Sequence, residues 1–375
     1  MSNLTFKQFI TEIQGSNAPA SLPVRPKGGN THPNNSTFTR SNLDLDKMLQ
    51  TINQNCTGWV NWARSKKTIP IFRGDNNSRS VMSLGDSNNF VRQAANTYNW
   101  YLQWIDASPA WADYPKRSKS FICTRDVAYT EGYGELNLVI PFDTAHIGAC
   151  PKYDMWFSFK DISSISRISS IGYLQDHILN LLSDLQIKVT SKDVSQTRQM
   201  FEKVTRLELE QLIEPSIHTL DMLYKKGKIN VNTKDLINIK SEYSLHVNKD
   251  EISKFTDEYP ELLEVVGSKF EEFKFRYKLV QLMSGERLSS LADVYDYIFD
   301  GAVKDFRQFT GADLNRALDK VPTSAELWVQ GKCIFVNLAS LSRLKLRDED
   351  TTNKIVDAFK TNYSIDLARY IDANV

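Results

Sequence analysis

The sequence predicts an α+β fold in which one mixed domain is interrupted by a large helical insertion. Three observations predict it. Short apolar runs with strand texture occur before residue 160 and return after residue 321. Between them, apolar residues recur at three- and four-residue intervals and Gly and Pro are rare, as in amphipathic helices. The late strands are too few to fold alone, so they are expected to join the early ones. The boundaries that follow are a flexible N-terminal arm at 1–42, a core at 43–160 and 321–345, a helical insertion at 161–320, and C-terminal helices at 346–375.

Each element has its own signal. Residues Ser16 to Ser41 are rich in Asn, Pro, Gly, Ser and Thr, which reads as an extended arm. Leu43, Leu45, Met48, Leu49 and Ile52 then fall at helical spacing. Thr68 to Arg73 reads as a strand, and Ser87 opens a helix continuing to Ile105. The aromatics Tyr98, Trp100, Tyr101, Trp104, Trp111 and Tyr114 are expected to pack against the sheet. Lys119 to Thr124 and Glu135 to Phe142 read as strands, the second alternating into an apolar run through Leu136, Leu138, Val139 and Ile140, and Met155 to Phe159 as a further one. The helical block comprises Tyr173 to Leu185, Val194 to Tyr224, Glu261 to Met283 and Leu288 to Phe299. Ala325 to Val329, the turn Gln330-Gly331, and Lys332 to Val336 read as a hairpin. Asp350 to Tyr370 returns to helix.

Composition narrows the function classes. A chain of 375 residues can bury a sizeable core and hold two domains. The net charge of +1 gives no global field for nucleic acid or membrane. The four cysteines, Cys56, Cys123, Cys150 and Cys333, form no CxxC pair, and the five histidines supply no ligand spacing. Reduced thiols and no metal are expected. Met1 to Gly15 lacks the apolar core of a signal peptide, and no run approaches the length of a transmembrane helix. The expectation is a cytoplasmic protein with no membrane partner.

Three stretches carry chemistry. In Ile71-Phe72-Arg73-Gly74 an arginine ends a strand and a glycine lets backbone approach what it holds. A planar guanidinium suits bidentate contact with phosphate, so Arg73 reads as an anion-binding residue. In Ser118 to Asp126, hydroxyl and thiol residues, Ser120, Cys123 and Thr124 among them, alternate with apolar ones along a strand. On a strand, Ser120 and Thr124 share a face and Cys123 lies on the other. In Pro322 to Trp328 a carboxylate, Glu326, opens an otherwise apolar strand. Carboxylates are seldom buried without a partner.

In that chain order, the three stretches resemble the mono-ADP-ribosyltransferases, with their Arg–Ser/Thr–Glu signature on a split β-sheet. Phe72-Arg73-Gly74 resembles the family's first motif; Cys123-Thr124-Arg125, then Ala128 and Tyr133-Gly134, the second; Glu326 and its apolar strands, the third. The resemblance covers roughly Ile69 to Phe142 and Thr323 to Leu338. It implies a split-sheet transferase core and NAD as substrate. Arg73 would hold the phosphate or nicotinamide ribose, and the Gly74 backbone the nicotinamide amide. Ser120 or Thr124 would position Glu326, with Cys123 beside them. Glu326 would bond the ribose 2′-hydroxyl and stabilise an oxocarbenium-like state.

Two positions depart from the family. Cys123 stands where the leading serine belongs, and Ser324 occupies the position two before the glutamate, where arginine-modifying members carry Glu or Gln. The implied acceptor is a macromolecule, a protein or else a nucleic acid. The helical block exceeds a minimal transferase and suggests target recognition or docking. It resembles the accessory regions of phage-encoded relatives, which implies the host cytoplasm or a virion as location. The alternative is a non-catalytic structural protein, such as a virion component, that keeps the fold.

Overall fold

The computed structural model describes residues 40–65, 70–75, 80–92, 100–159, 171–187, 194–227 and 270–371. The chain forms two compact units. One comprises Met1–Gln93, Trp111–Ser158 and Lys304–Val375; the other comprises Ala94–Ala110 and Phe159–Val303. The architecture is α+β, an antiparallel sheet interrupted by helical segments.

The first unit is built on nine strands among the described residues: β1 (Arg40–Asn42), β2 (Ile71–Asp75), β3 (Met82–Asp86), β4 (Phe121–Thr124), β5 (Glu135–Pro141), β6 (His146–Ala149), β7 (Arg307–Thr310), β8 (Glu326–Gln330) and β9 (Lys332–Asn337). Their order is β1-β3-β9-β5-β2-β4-β8-β6-β7. Every ladder is antiparallel, and β2 meets β4 at the single pair Phe72↔Thr124. The sheet therefore consists of two well-paired halves, β1-β3-β9-β5-β2 and β4-β8-β6-β7, joined at one point.

That division overturns the expected hairpin. β8 pairs with β4 and β6, whereas β9 pairs with β3 and β5. Gly331, at φ +119°, carries the chain from one half-sheet to the other. Its N–H donates to Ser87 Oγ at 2.7 Å, and its carbonyl accepts from Ser87 N–H at 3.0 Å. Val329 and Lys332, which would close a hairpin, are committed elsewhere: Val329 pairs with Phe121 and Ile147, and the Lys332 carbonyl accepts Phe142 N–H at 3.0 Å. Two adjacent apolar strands around a glycine carry the same local pattern in either arrangement.

The core of this unit is continuous. Helix Leu45–Asn55 is capped by Asp44, whose carboxylate accepts Lys47 N–H at 2.8 Å, and buries Met48 and Ile52 one turn apart. Helix Thr57–Ser65 adds Trp59 and Trp62, and Trp59 packs edge-on to Tyr363 with ring centroids 5.3 Å apart. Helices Leu338–Lys345, Glu349–Tyr363 and Ala368–Ile371 follow β9, and Phe72 meets Tyr370 at 5.0 Å. Burying each such aromatic contributes about 1.5–3 kcal/mol.

The expected boundaries shift at three places. Arg40–Asn42 pairs with β3 instead of belonging to the arm, the rest of which, 1–39, lies outside the described residues. β7 joins the sheet from within the expected helical block; only Phe309 of its four residues is buried, so its apolar signal is weak. Residues Ala94–Ala110 belong to the helical unit.

Local expectations also change. Ser87–Asn89 is a single 3-10 turn that Asp86 caps, and the chain is extended again at Phe90. The rest of that expected helix appears as Trp100–Ala107, with 93–99 outside the described residues, as 66–69 are for the first expected strand. Trp156–Ser158 is a 3-10 turn instead of a strand, because the Asp154 carboxylate accepts Trp156 N–H at 2.7 Å and fixes the bend.

The helical unit contains Trp100–Ala107, Ile171–Asp184, Val194–Glu202, Arg206–Lys225, Phe270–Gly285 and Leu291–Gly301. The expected helix Val194–Tyr224 is broken before Thr205, which forms a capping box with Glu208. Ser290 forms a second one with Asp293. Trp104 lies against Phe201 (5.7 Å) and Tyr295 (5.2 Å), so this part of the aromatic cluster packs within the helices, not against the sheet. Trp111 and Tyr114 do pack in the sheet unit, Tyr114 stacking 6.4 Å from Trp328. Tyr98 lies outside the described residues.

Candidate functional site

The topology brings the three sequence motifs together. β4 lies between β2 and β8, so the arginine strand, the hydroxyl strand and the glutamate strand are neighbours. Thr124 stands opposite Phe72 on one side and opposite Glu326 on the other. Glu326 is held at the start of β8 by its backbone. Its N–H donates to the Lys152 carbonyl at 3.0 Å, and its own carbonyl accepts Cys150 N–H at 3.1 Å. The segment following β6 thereby wraps around the glutamate.

The Glu326 side chain is buried, at 6% exposure, and its partner is Arg117. Arg117 donates through Nε at 3.1 Å and Nη2 at 2.7 Å, both to Oε1. Oε2 accepts the Met155 N–H at 3.5 Å. The guanidinium of Arg117 lies 5.1 Å over the Trp156 ring, a cation–π contact. Burial opposes the charge of Arg117, but Glu326 and Asp154 outweigh it and hold the arginine above its ordinary range.

Other ionisable groups crowd the same place. Burial and the charge of Glu326 push the Asp154 carboxyl up to about 6 against the pull of Arg117 and Arg92. Burial, and then the like charge of Arg117, bring Arg92 down to about 9, although Glu326 resists. Tyr133 is pushed up to about 12 by burial and by Asp154 and Glu326. Tyr129 and Tyr153 stack beside Asp154 with centroids 5.3 Å apart and rings within 2° of parallel.

The residues expected to act together are placed as follows. Arg73 does not meet Glu326: its Nη1 donates to the Ile122 carbonyl at 2.9 Å, and its guanidinium lies 5.8 Å from the Phe121 ring centroid. Ser120 is buried and donates from Oγ to the Lys116 carbonyl at 2.7 Å, closing the turn Arg117–Lys119. The Thr124 hydroxyl accepts Asp126 N–H at 3.1 Å. Neither hydroxyl touches the carboxylate, so the group that positions Glu326 is Arg117, not Ser120 or Thr124. The Cys123 thiol is buried 3.6 Å from the Phe121 carbonyl, and burial pushes it up to about 12. Gly74 is closed over: a Cβ there would stand 2.6 Å from the Thr130 carbonyl oxygen and 2.7 Å from Tyr133 Cβ. The 3-10 segment Val127–Tyr133 supplies both of these neighbours.

Arg92, Arg117 and Asp154 were not legible as site residues. The one available signal was Glu326 itself, since a carboxylate in an apolar strand requires a cation, but nothing local names which. Comparisons with protein-family models, curated proteins and solved structures find no match for this chain. Among the described residues no group of three His, Cys, Asp or Glu side chains is placed to hold a metal ion. No described helix is long and apolar enough to cross a membrane.

Proposed function

We propose that the chain is an NAD-dependent ADP-ribosyltransferase acting on a macromolecular acceptor. The observation that carries this reading is the adjacency of β2, β4 and β8, with Thr124 in register opposite Glu326 at the point where two half-sheets meet. The resemblance implied that order of motifs on a split sheet. The chemistry required of Glu326 is electrostatic. As the bond between ribose C1′ and the nicotinamide nitrogen breaks, its electron pair leaves with nicotinamide and positive charge grows on the sugar. A fixed carboxylate stabilises that charge. The acceptor nucleophile then bonds C1′ and releases its proton. Arg117 holds the Glu326 carboxylate in orientation, and Arg73 serves the phosphate-bearing part of NAD.

The test is incubation with NAD labelled in the ADP-ribose portion and a cell lysate, comparing wild type with Glu326→Gln. Labelled macromolecule with wild type and at least 100-fold less with the variant is expected. Equal labelling by both removes Glu326 from the mechanism.

One observation favours a second reading, a non-catalytic interaction protein that keeps the fold. Oε1 of Glu326 already receives two N–H groups from a buried arginine. Measurable NAD affinity without nicotinamide release, in wild type and Glu326→Gln alike, is the outcome of that reading.

A further inference from the structure

Three arginines are anchored along the β4 segment, Arg117 on Glu326, Arg73 on the Ile122 carbonyl and Arg92 on the Ser118 carbonyl through its backbone, and they are not equally satisfied. Arg117 has Glu326. Arg73 Nε lies 3.8 Å from Asp75 Oδ2, beyond hydrogen-bond reach, and is buried with no acceptor among the described residues. Asp75 itself pairs with Arg40. Arg92 Nη1 is likewise buried and has no acceptor among the described residues. Its backbone N–H donates to the Ser118 carbonyl at 2.6 Å, which fixes it beside the turn that carries Arg117.

A buried N–H donor on a cation is costly to leave without an acceptor. The cost is visible here: burial and the neighbouring charges of Arg117 and Arg73 weaken proton binding by Arg92. Glu326 offsets part of that, but its oxygens are bonded to Arg117 and Met155. What the two idle donors lack is an acceptor with several oxygens and negative charge.

We infer that Arg92, with Arg73, forms a binding subsite for a phosphate-class anion beside Glu326. The ligand is a phosphate or diphosphate, free or as part of a larger molecule. This deepens the transfer reading and rests on it only for the identity of that larger molecule. None of the sequence motifs contains Arg92. Its role is binding; Glu326 keeps the bond-breaking step.

The test uses the intact chain and two probes, inorganic pyrophosphate and ADP-ribose, titrated by calorimetry at fixed ionic strength. Arg92→Gln is expected to weaken both about tenfold or more, as loss of a charge-assisted hydrogen bond does. Arg307→Gln, on the exposed edge of β7, is expected to change neither. Tighter binding of ADP-ribose than of pyrophosphate assigns the anion to a nucleotide-type ligand; the reverse order assigns it to a free diphosphate. A second readout separates binding from packing. Removing an uncompensated buried charge stabilises the free protein, so Arg92→Met is expected to melt higher than wild type while binding neither probe. The inference is overturned by unchanged affinities in Arg92→Gln, by wild type that binds neither probe, or by Arg92 variants that melt lower or fail to fold. The transfer reading fails separately. Arg92-dependent pyrophosphate binding with no consumption of NAD keeps the subsite and sinks the transferase, and NAD consumption with unchanged affinities in Arg92→Gln does the opposite.

Discussion

Arg117 donates two hydrogen bonds, 3.1 and 2.7 Å long, to one carboxylate oxygen of Glu326, and neither side chain is more than one-tenth exposed. The pair joins the turn before β4 to the first residue of β8. It fixes the one carboxylate that the sequence had marked for chemistry.

Breaking that pair from one side leaves a buried charge alone. Arg117→Met is expected to lower unfolding free energy by about 3–5 kcal/mol, and Glu326→Met by a similar amount. The double variant, which removes both charges, is expected within about 2 kcal/mol of wild type or above it. Urea unfolding of the three variants closes the cycle. Additive losses in the double variant would mean that the two side chains are not coupled.

Asp154 gives a pH signature. Its folded-state value of about 6 lies above the ordinary carboxylate range, so the folded protein binds this proton more tightly than the unfolded chain. The stability it contributes is full below about pH 4 and is lost as the pH rises through about 6. Asp154→Asn removes that loss. Its stability advantage over wild type, measured by urea unfolding, is expected to be larger at pH 7.5 than at pH 5. An advantage independent of pH would refute the raised value.

Gly74 is a packing glycine. Its absent side chain admits Thr130 and Tyr133, and the Thr130 carbonyl is backbone that cannot swing away. Gly74→Ala is expected to cost about 1–3 kcal/mol and to shift the Val127–Tyr133 segment. Thermal melting checks the first, and a change in Tyr133 ring resonances checks the second. An unchanged melting temperature would show that the segment moves freely.

The four cysteines are buried and their thiols are pushed up by burial, Cys123 to about 12. Thiolate is the reactive form. Iodoacetamide at pH 8 is expected to leave all four unmodified in the folded protein and to modify all four in urea, read by intact mass. Rapid labelling of one in the native state would place it at an opening the packing does not show.

Sequence by itself determined the α+β class and the apolar strands, and it singled out Glu326 as a carboxylate in need of a partner. Period-2 alternation in Leu136 to Ile140 and helical spacing in Met48 and Ile52 are local properties, and both elements appear where expected. Glu326 stood out because a carboxylate at the head of a buried strand conflicts with its surroundings. Tertiary structure alone decided which partners those residues have. The Gln330-Gly331 turn reads as a hairpin, yet β8 and β9 belong to different half-sheets, because strand pairing is settled by hydrogen bonds to distant segments. Arg117 lies 209 positions from Glu326, Arg92 adjoins that pair through the backbone of Ser118, and Ser120, chosen for its spacing, turns instead to Lys116. A charge announces in the sequence that it needs a counter-charge. Which one it receives depends on loop closures and burial that only the assembled fold fixes.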